Sequence, residues 1–205
     1  VRKTFFTTKS TEFDGVNDYI RAQPSTRIDN IFASGGTVSM WIYLNPTAAG
    51  STNGGLVQKT GDGTYGWNIF LETYSAPNYT LRFSQAWDNE DLIQTKAAAI
   101  SVGAWHHLVI TYDASDKANR AIAYLNSSAI SSFDVVSSSY DASDSTAYTT
   151  DAAQQLEVGR VNSSGTYQNF RISDLAMWNA VLDADTVASI YNSAEPNDLL
   201  LAASY

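Results

Sequence analysis

Apolar and polar residues alternate with a period of two through several short stretches, and the breaks between them fall on Gly, Asn, Asp and Ser. Successive side chains of a strand point to opposite faces, so this alternation predicts strands with at least one face turned to a core. The clearest runs are 37–44, 66–72, 79–83, 105–112, 120–125 and 155–159, each strand-sized and rich in β-branched and aromatic residues. In the first run Val38, Met40, Ile42 and Leu44 alternate with Ser39, Trp41 and Tyr43. One face is aliphatic and the other aromatic and polar, which predicts a strand covered on both sides.

Turn signals separate these runs. Asn53-Gly54-Gly55, Gly61-Asp62-Gly63 and Ser163-Ser164-Gly165 supply residues that tolerate positive φ and read as hairpin connections. One segment, 184–191, reads as a helix: Asp183 is placed to cap it, and Val187, Ile190 and Tyr191 fall at i, i+3 and i+4 to make one apolar stripe. Residues 127–154 are dominated by Ser, Asp, Ala, Thr and Tyr and are expected to form a long exposed loop, carrying one strand at most and no core position.

Composition narrows the class. Hydrophobic residues make up 44% and charged residues 16% of 205 positions, the latter well below the roughly 25% usual for soluble domains. All-β sandwiches of about this length form one domain, so residues 1–205 are expected to be a single sandwich. There is no Cys, which excludes disulfides, thiol nucleophiles and thiolate metal sites. The formal net charge of −9 would repel a nucleic-acid backbone or an anionic bilayer, and neither is expected as a partner. No apolar run approaches the ~20 residues that cross a membrane as a helix, so membrane insertion is not expected. The start at Val1 rather than Met is expected of a trimmed chain or a fragment, and no targeting segment is legible in it.

Six stretches, in order, carry a resemblance. They are Glu12-Phe13-Asp14-Gly15-Val16-Asn17-Asp18-Tyr19-Ile20, Val38-Ser39-Met40-Trp41-Ile42, Trp105-His106-His107-Leu108-Val109-Ile110-Thr111-Tyr112-Asp113, Tyr124-Leu125-Asn126, Leu156-Glu157-Val158-Gly159-Arg160, and 172–182 around Asp174 and Trp178. Together they resemble the laminin G-like and concanavalin A-like lectin/glucanase superfamily. The resemblance implies an all-β, antiparallel two-sheet jelly-roll sandwich with one short helix near the carboxyl end. It departs at Ser127, which stands where the family has Gly, and in the long polar stretch that follows. A binding module rather than an enzyme is expected, with a glycan or a surface protein as partner, a homo-oligomer as one arrangement, and an extracellular or virion-surface location. Two functions stand side by side: a carbohydrate-binding or adhesion module of a bacterial or viral surface protein, and a structural virion or surface component such as a capsid decoration or fibre domain.

The chemistry-bearing residues are few. His106 and His107 are the only histidines and, adjacent on a strand, face opposite sides, so they do not chelate one ion. The glucanase branch needs paired carboxylates about 5 Å apart for retention; Glu72, Glu90, Glu157 and Glu195 each lack an acidic partner at i+4, and no catalytic residue is expected. The Asp88 to Asp91 cluster sits in what reads as an irregular polar stretch. The resemblance points to a structural calcium ion at Asp14 and Asp174, completed by carbonyls near Asn17 or Gly35; the alternative is that Asp14 and Asp18 bond turn amides. Sugar binding needs an exposed aromatic platform with amides beside it. Trp87 with Asp88 and Asn89 is the expected ligand site, followed by Trp67, Tyr65 and Tyr74, whereas Trp41, Trp105 and Trp178 are expected in the core.

Overall fold

The computed structural model describes residues 9–46, 53–61, 65–75, 78–87, 90–116, 118–135, 147–161 and 165–194. They form two antiparallel sheets packed face to face. In the first the spatial order is β1 (Thr11–Asp14), β15 (Asn169–Trp178), β3 (Gly36–Leu44), β8 (Trp105–Tyr112), β9 (Ile122–Leu125) and β10 (Ser128–Ser132). The second runs β11 (Asp134–Val135), β7 (Glu90–Ala99), β6 (Asn78–Trp87), β5 (Trp67–Ser75), β4 (Asn53–Lys59), β12 (Leu156–Val158) and β2 (Ile20–Ala22). A small hairpin, β13 (Arg160–Val161) and β14 (Thr166–Tyr167), pairs only with itself.

The inward faces follow the period-two pattern. Val38, Met40, Ile42 and Leu44 of β3 and Leu108 and Ile110 of β8 meet Trp67, Ile69 and Leu71 of β5 and Leu81 and Phe83 of β6 in one buried cluster. Phe32, from the segment before β3, inserts between the sheets, its ring centroid 5.2 Å from that of Trp67 and 5.1 Å from that of Phe83. Each such side chain removed from water stabilises the fold by about 1.5–3 kcal/mol.

Strand β3 is covered on its outer face as well. Helix α1 (Ala184–Tyr191) begins where Asp183 Oδ1 accepts a 2.8 Å hydrogen bond from the Thr186 amide. Val187 packs on Val109 and Tyr124, and the Tyr191 ring stacks on Trp41 at 5.8 Å and on His107 at 5.9 Å.

Three expectations need correction. Asn53-Gly54-Gly55 is not a turn: these residues open β4, where Gly54 to Gly55 pair with Leu71 and Phe70. The glycines are needed because the β13–β14 hairpin lies on this strand. A Cβ on Gly55 would stand 2.3 Å from the Arg160 carbonyl oxygen, and one on Gly54 would overlap the Gln168 side chain. Residues 127–154 hold more than a loop: β10 and β11 lie there, and Phe133 and Asp151 are buried. Among the acidic cluster, Glu90 and Asp91 are not irregular but begin β7, paired with Trp87 and Ala86.

Asp151 belongs to a buried charge cluster. The ammonium of Lys59, whose side chain is fully buried, lies 3.0 Å from Asp29 Oδ1 and 3.0 Å from Asp151 Oδ1 and donates to the carbonyl of Gln154 at 3.0 Å. The Asn30 amide and the Tyr148 hydroxyl donate to the same Asp151 carboxylate. Burial and the adjacent Asp151 charge push the Tyr148 hydroxyl far above its ordinary range. The cluster fastens the segment around 29–30 and the segment 148–154 to the end of β4.

Candidate ligand-binding site

Strand β2 forms the edge of the second sheet and pairs with β12, Arg21 opposite Glu157 and Ile20 opposite Val158. Alternation turns Tyr19, Arg21 and Gln23 outward with Gln155 and Glu157, while Ile20, Ala22, Leu156 and Val158 turn the other way. Glu157 is nearly inaccessible on this outward face, with 2% of its side chain exposed. Its carboxylate accepts hydrogen bonds from Arg21 Nε at 2.9 Å, Arg160 Nε at 3.0 Å, Arg160 Nη2 at 2.6 Å and Gln58 Nε2 at 2.9 Å. Burial alone would raise its pKa, but the donors from Arg160, Gln58 and Arg21 outweigh it and hold the carboxyl below the usual range.

Above this anchor stands the Tyr19 ring, 39% exposed. The Arg160 guanidinium lies 4.0 Å from its centroid and that of Arg21 5.2 Å. Tyr167, from the hairpin, brings a second ring to 6.3 Å. The result is an accessible aromatic surface whose flanking cations are fixed from beneath, so that little side-chain freedom is lost when something stacks upon it. Such a surface takes the apolar face of a ring and offers N–H donors to polar groups at the rim.

The residues expected at the ligand site are not brought together. Trp87 is 6% exposed and Trp67 is 0% exposed, and both sit in the core cluster. The reason is parity: Trp67 shares the inward face with Ile69 and Leu71, and Trp87 shares it with Leu81 and Phe83, although Gln85 interrupts the apolar pattern. Asp88 and Asn89 lie outside the described residues. Tyr65 is exposed just ahead of β5, with β4 and β12 between that strand and β2. Tyr74 is in β5. The tryptophans expected inside divide. Trp41 is buried, under α1 rather than between the sheets, while Trp105 and Trp178 are half-buried.

The structure does not bring Asp14 and Asp174 together. Asp14 pairs with Asn169, so Asp174 lies five residues further along β15, about 15 Å away. The Asp14 carboxylate instead accepts from the Val16 amide at 2.7 Å and the Asn17 amide at 3.3 Å, and the Val16 bond chiefly holds its pKa low. The Asp14 amide in turn donates to Asp18 at 3.2 Å. Asp174 takes φ +50° at a bulge of β15 and accepts from the Ser173 hydroxyl at 2.6 Å. Among the described residues no three His, Asp or Glu side chains converge as a metal cluster would require. His106 and His107 part as their adjacency predicts. His107 Nε2 shares a 2.8 Å hydrogen bond with Ser39 on the helix side, and His106 Nε2 shares one of 3.0 Å with Ser101.

Tyr19, Arg21, Arg160 and Tyr167 were not singled out by sequence reasoning. The signal was the alternation Tyr19-Ile20-Arg21-Ala22-Gln23, but it is short and overlaps a stretch whose family likeness reads as structural. Arg160 and Tyr167 meet Tyr19 only through tertiary packing.

The fold defines the class: a jelly-roll-like sandwich with one short helix. The family model described as the concanavalin A-like lectin/glucanases superfamily, of laminin G type, matches residues 14–188, and the chain belongs to that family. No curated protein matches. Among solved structures, the native heptameric SAP-like pentraxin from Limulus polyphemus is similar, with TM-score 0.59 and 15% identity over 88% of this chain and 80% of that one. The botulinum neurotoxin serotype D ligand binding domain in complex with N-acetylneuraminic acid gives TM-score 0.64 and 12% identity, covering 90% of this chain and 42% of that one. The binding domain of botulinum neurotoxin DC in complex with rat synaptotagmin II gives TM-score 0.58 and 14% identity, covering 86% and 40%. This chain therefore spans less than half of those toxin domains. At such identities the likeness is one of fold.

Proposed function

We propose that this domain is a non-catalytic carbohydrate-binding or adhesion module acting at a bacterial or viral surface, with the Tyr19 edge as its ligand site. The observation that carries the reading is the exposed Tyr19 ring with Arg21 and Arg160 close beside it, both held by the buried Glu157. That a neighbour of the same fold is known with a bound sugar and another with a bound protein supports a binding role at this fold. A hydrolytic role for Glu157 is disfavoured because four hydrogen bonds already engage its carboxylate, so it has no proton to give. The rival reading, a structural surface component contacting other protein copies, is supported by Val16 and Ile20, which expose 69% and 43% of their surface in the segment next to Tyr19 in the chain.

A glycan array probed with the parent protein and with Tyr19→Ala separates the two. The expected result is binding to a subset of glycans that weakens about tenfold or more in the variant, the loss of one aromatic contact of ~1.5 kcal/mol. Running the array in calcium and in chelator also tests the expected calcium ion. Binding to no glycan, with self-association at the same concentration, supports the structural component instead.

A further inference from the structure

Beside the Tyr19 platform, on the same outward face, lies a polar pocket of about 220 Å³ that the platform does not use. Gln23, Thr60, Gln154, Gln155 and Glu157 line it, with Pro24 and Ala153 completing the wall. Its position follows from strand geometry: Gln23 directly follows β2, two residues beyond Arg21, and Gln155 directly precedes β12, two residues before Glu157. Glu157 thus serves both places, bordering the pocket and anchoring the guanidiniums under Tyr19. From Tyr19 to Gln23 is four residues of extended chain, about 13 Å.

The pocket is built rather than incidental. Gln155 Nε2 donates to Gln23 Oε1 at 3.1 Å, tying the two strands' side chains together across one end. Gln154 is fixed by its backbone, its carbonyl accepting from buried Lys59 at 3.0 Å and its amide donating to the Asp151 carbonyl at 2.8 Å. Three side-chain amides and a hydroxyl offer donors and acceptors together, which suits a group that both gives and takes hydrogen bonds, as a sugar hydroxyl does. The one charge in the lining, Glu157, is already neutralised by Arg21 and Arg160.

We infer that the site is two-ended, the Tyr19 platform holding one saccharide unit and the glutamine pocket a second, so that its ligand is a linear oligosaccharide rather than a single sugar or a branched tip. This rests on the glycan-binding reading above. A monosaccharide reaches one end only; a chain long enough to span about 13 Å engages both, and the second contact forms at the high local concentration that the first one creates.

The test uses homologous linear series of one to six units, β1,4-linked N-acetylglucosamine, β1,4-linked glucose, α1,4-linked glucose and β1,4-linked mannose, titrated calorimetrically against the whole chain. In the series that binds, affinity should climb tenfold or more between the disaccharide and the tetrasaccharide and then level off. In the Gln23→Ala/Gln155→Ala double variant the ratio of tetrasaccharide to disaccharide affinity should fall to about one, whereas Tyr19→Ala should weaken every length. Ala153→Trp, which fills the pocket from its exposed wall, should remove the length dependence by an independent route if the double variant fails to fold. Equal affinity for all lengths in the parent, or a length dependence that survives both pocket variants, overturns the second end and leaves the platform standing. Binding to none of the series, together with a blank glycan array, overturns the platform as well.

Discussion

His107 is 1% exposed, between the Ser39 hydroxyl and the rings of Trp41 and Tyr191, and burial pushes its pKa down to about 4. A proton on this ring is therefore taken up by the unfolded chain long before the folded one. Above about pH 6.5 both states carry a neutral imidazole and nothing is lost. Between 6.5 and about 4 only the unfolded chain protonates, and stability falls by up to about 3 kcal/mol. Urea midpoints measured from pH 7.5 to 4.5 should show this decline, and His107→Gln should flatten it; an equal slope in parent and variant would remove His107 from the acid sensitivity. The same residue shows how much one position discloses. Adjacent histidines on a strand must part, and they do. Trp67 and Trp87 show the limit, because their inward parity was written in Ile69, Leu71, Leu81 and Phe83, yet a polar Gln85 on that face concealed it.

At the scale of elements, the six strongest alternating stretches and the capped helix are strands and a helix where the pattern puts them, although β12 keeps only three residues of its stretch. Short elements escaped. Strand β2 has three residues and β13 and β14 two each, too few for alternation to rise above chance. The Gly54-Gly55 pair was misread for a different reason. Glycine serves a tight turn and a close approach of two backbones equally well, and only the hairpin resting on β4 distinguishes them. Gly55→Ala should push the hairpin off its seat. A loss of about 1–3 kcal/mol is expected in chemical denaturation, with weaker glycan binding, since Arg160 and Tyr167 ride on the displaced element. Parent-like stability in this variant would mean that the hairpin yields without cost.

Across the whole molecule, Lys59 joins segments more than ninety residues apart in sequence, and its substitution should be felt far from its own strand. Lys59→Met keeps the length of the side chain but strands the Asp29 and Asp151 carboxylates, and a loss of about 3–5 kcal/mol is expected, read as a lowered urea midpoint. A midpoint within experimental error of the parent would show that the cluster adds no net stability. The cluster also illustrates what the chain's pattern could and could not specify. Period-two alternation, turn residues and the Asp183 cap are local, determined by side-chain direction and backbone sterics over a few neighbours, and so the sandwich and its helix were readable from sequence alone. The burial of Asp151, the packing of α1 on Trp41, and the meeting of Tyr19 with Arg160 and Tyr167 join residues separated by tens of positions or more. Which of many similar polar residues come together is decided by the pairing of edge strands β2 and β12 and by the hairpin laid over β4, where desolvation of Glu157 is tolerable only because two guanidiniums and an amide converge on it. The Tyr19 edge therefore exists only in the tertiary structure.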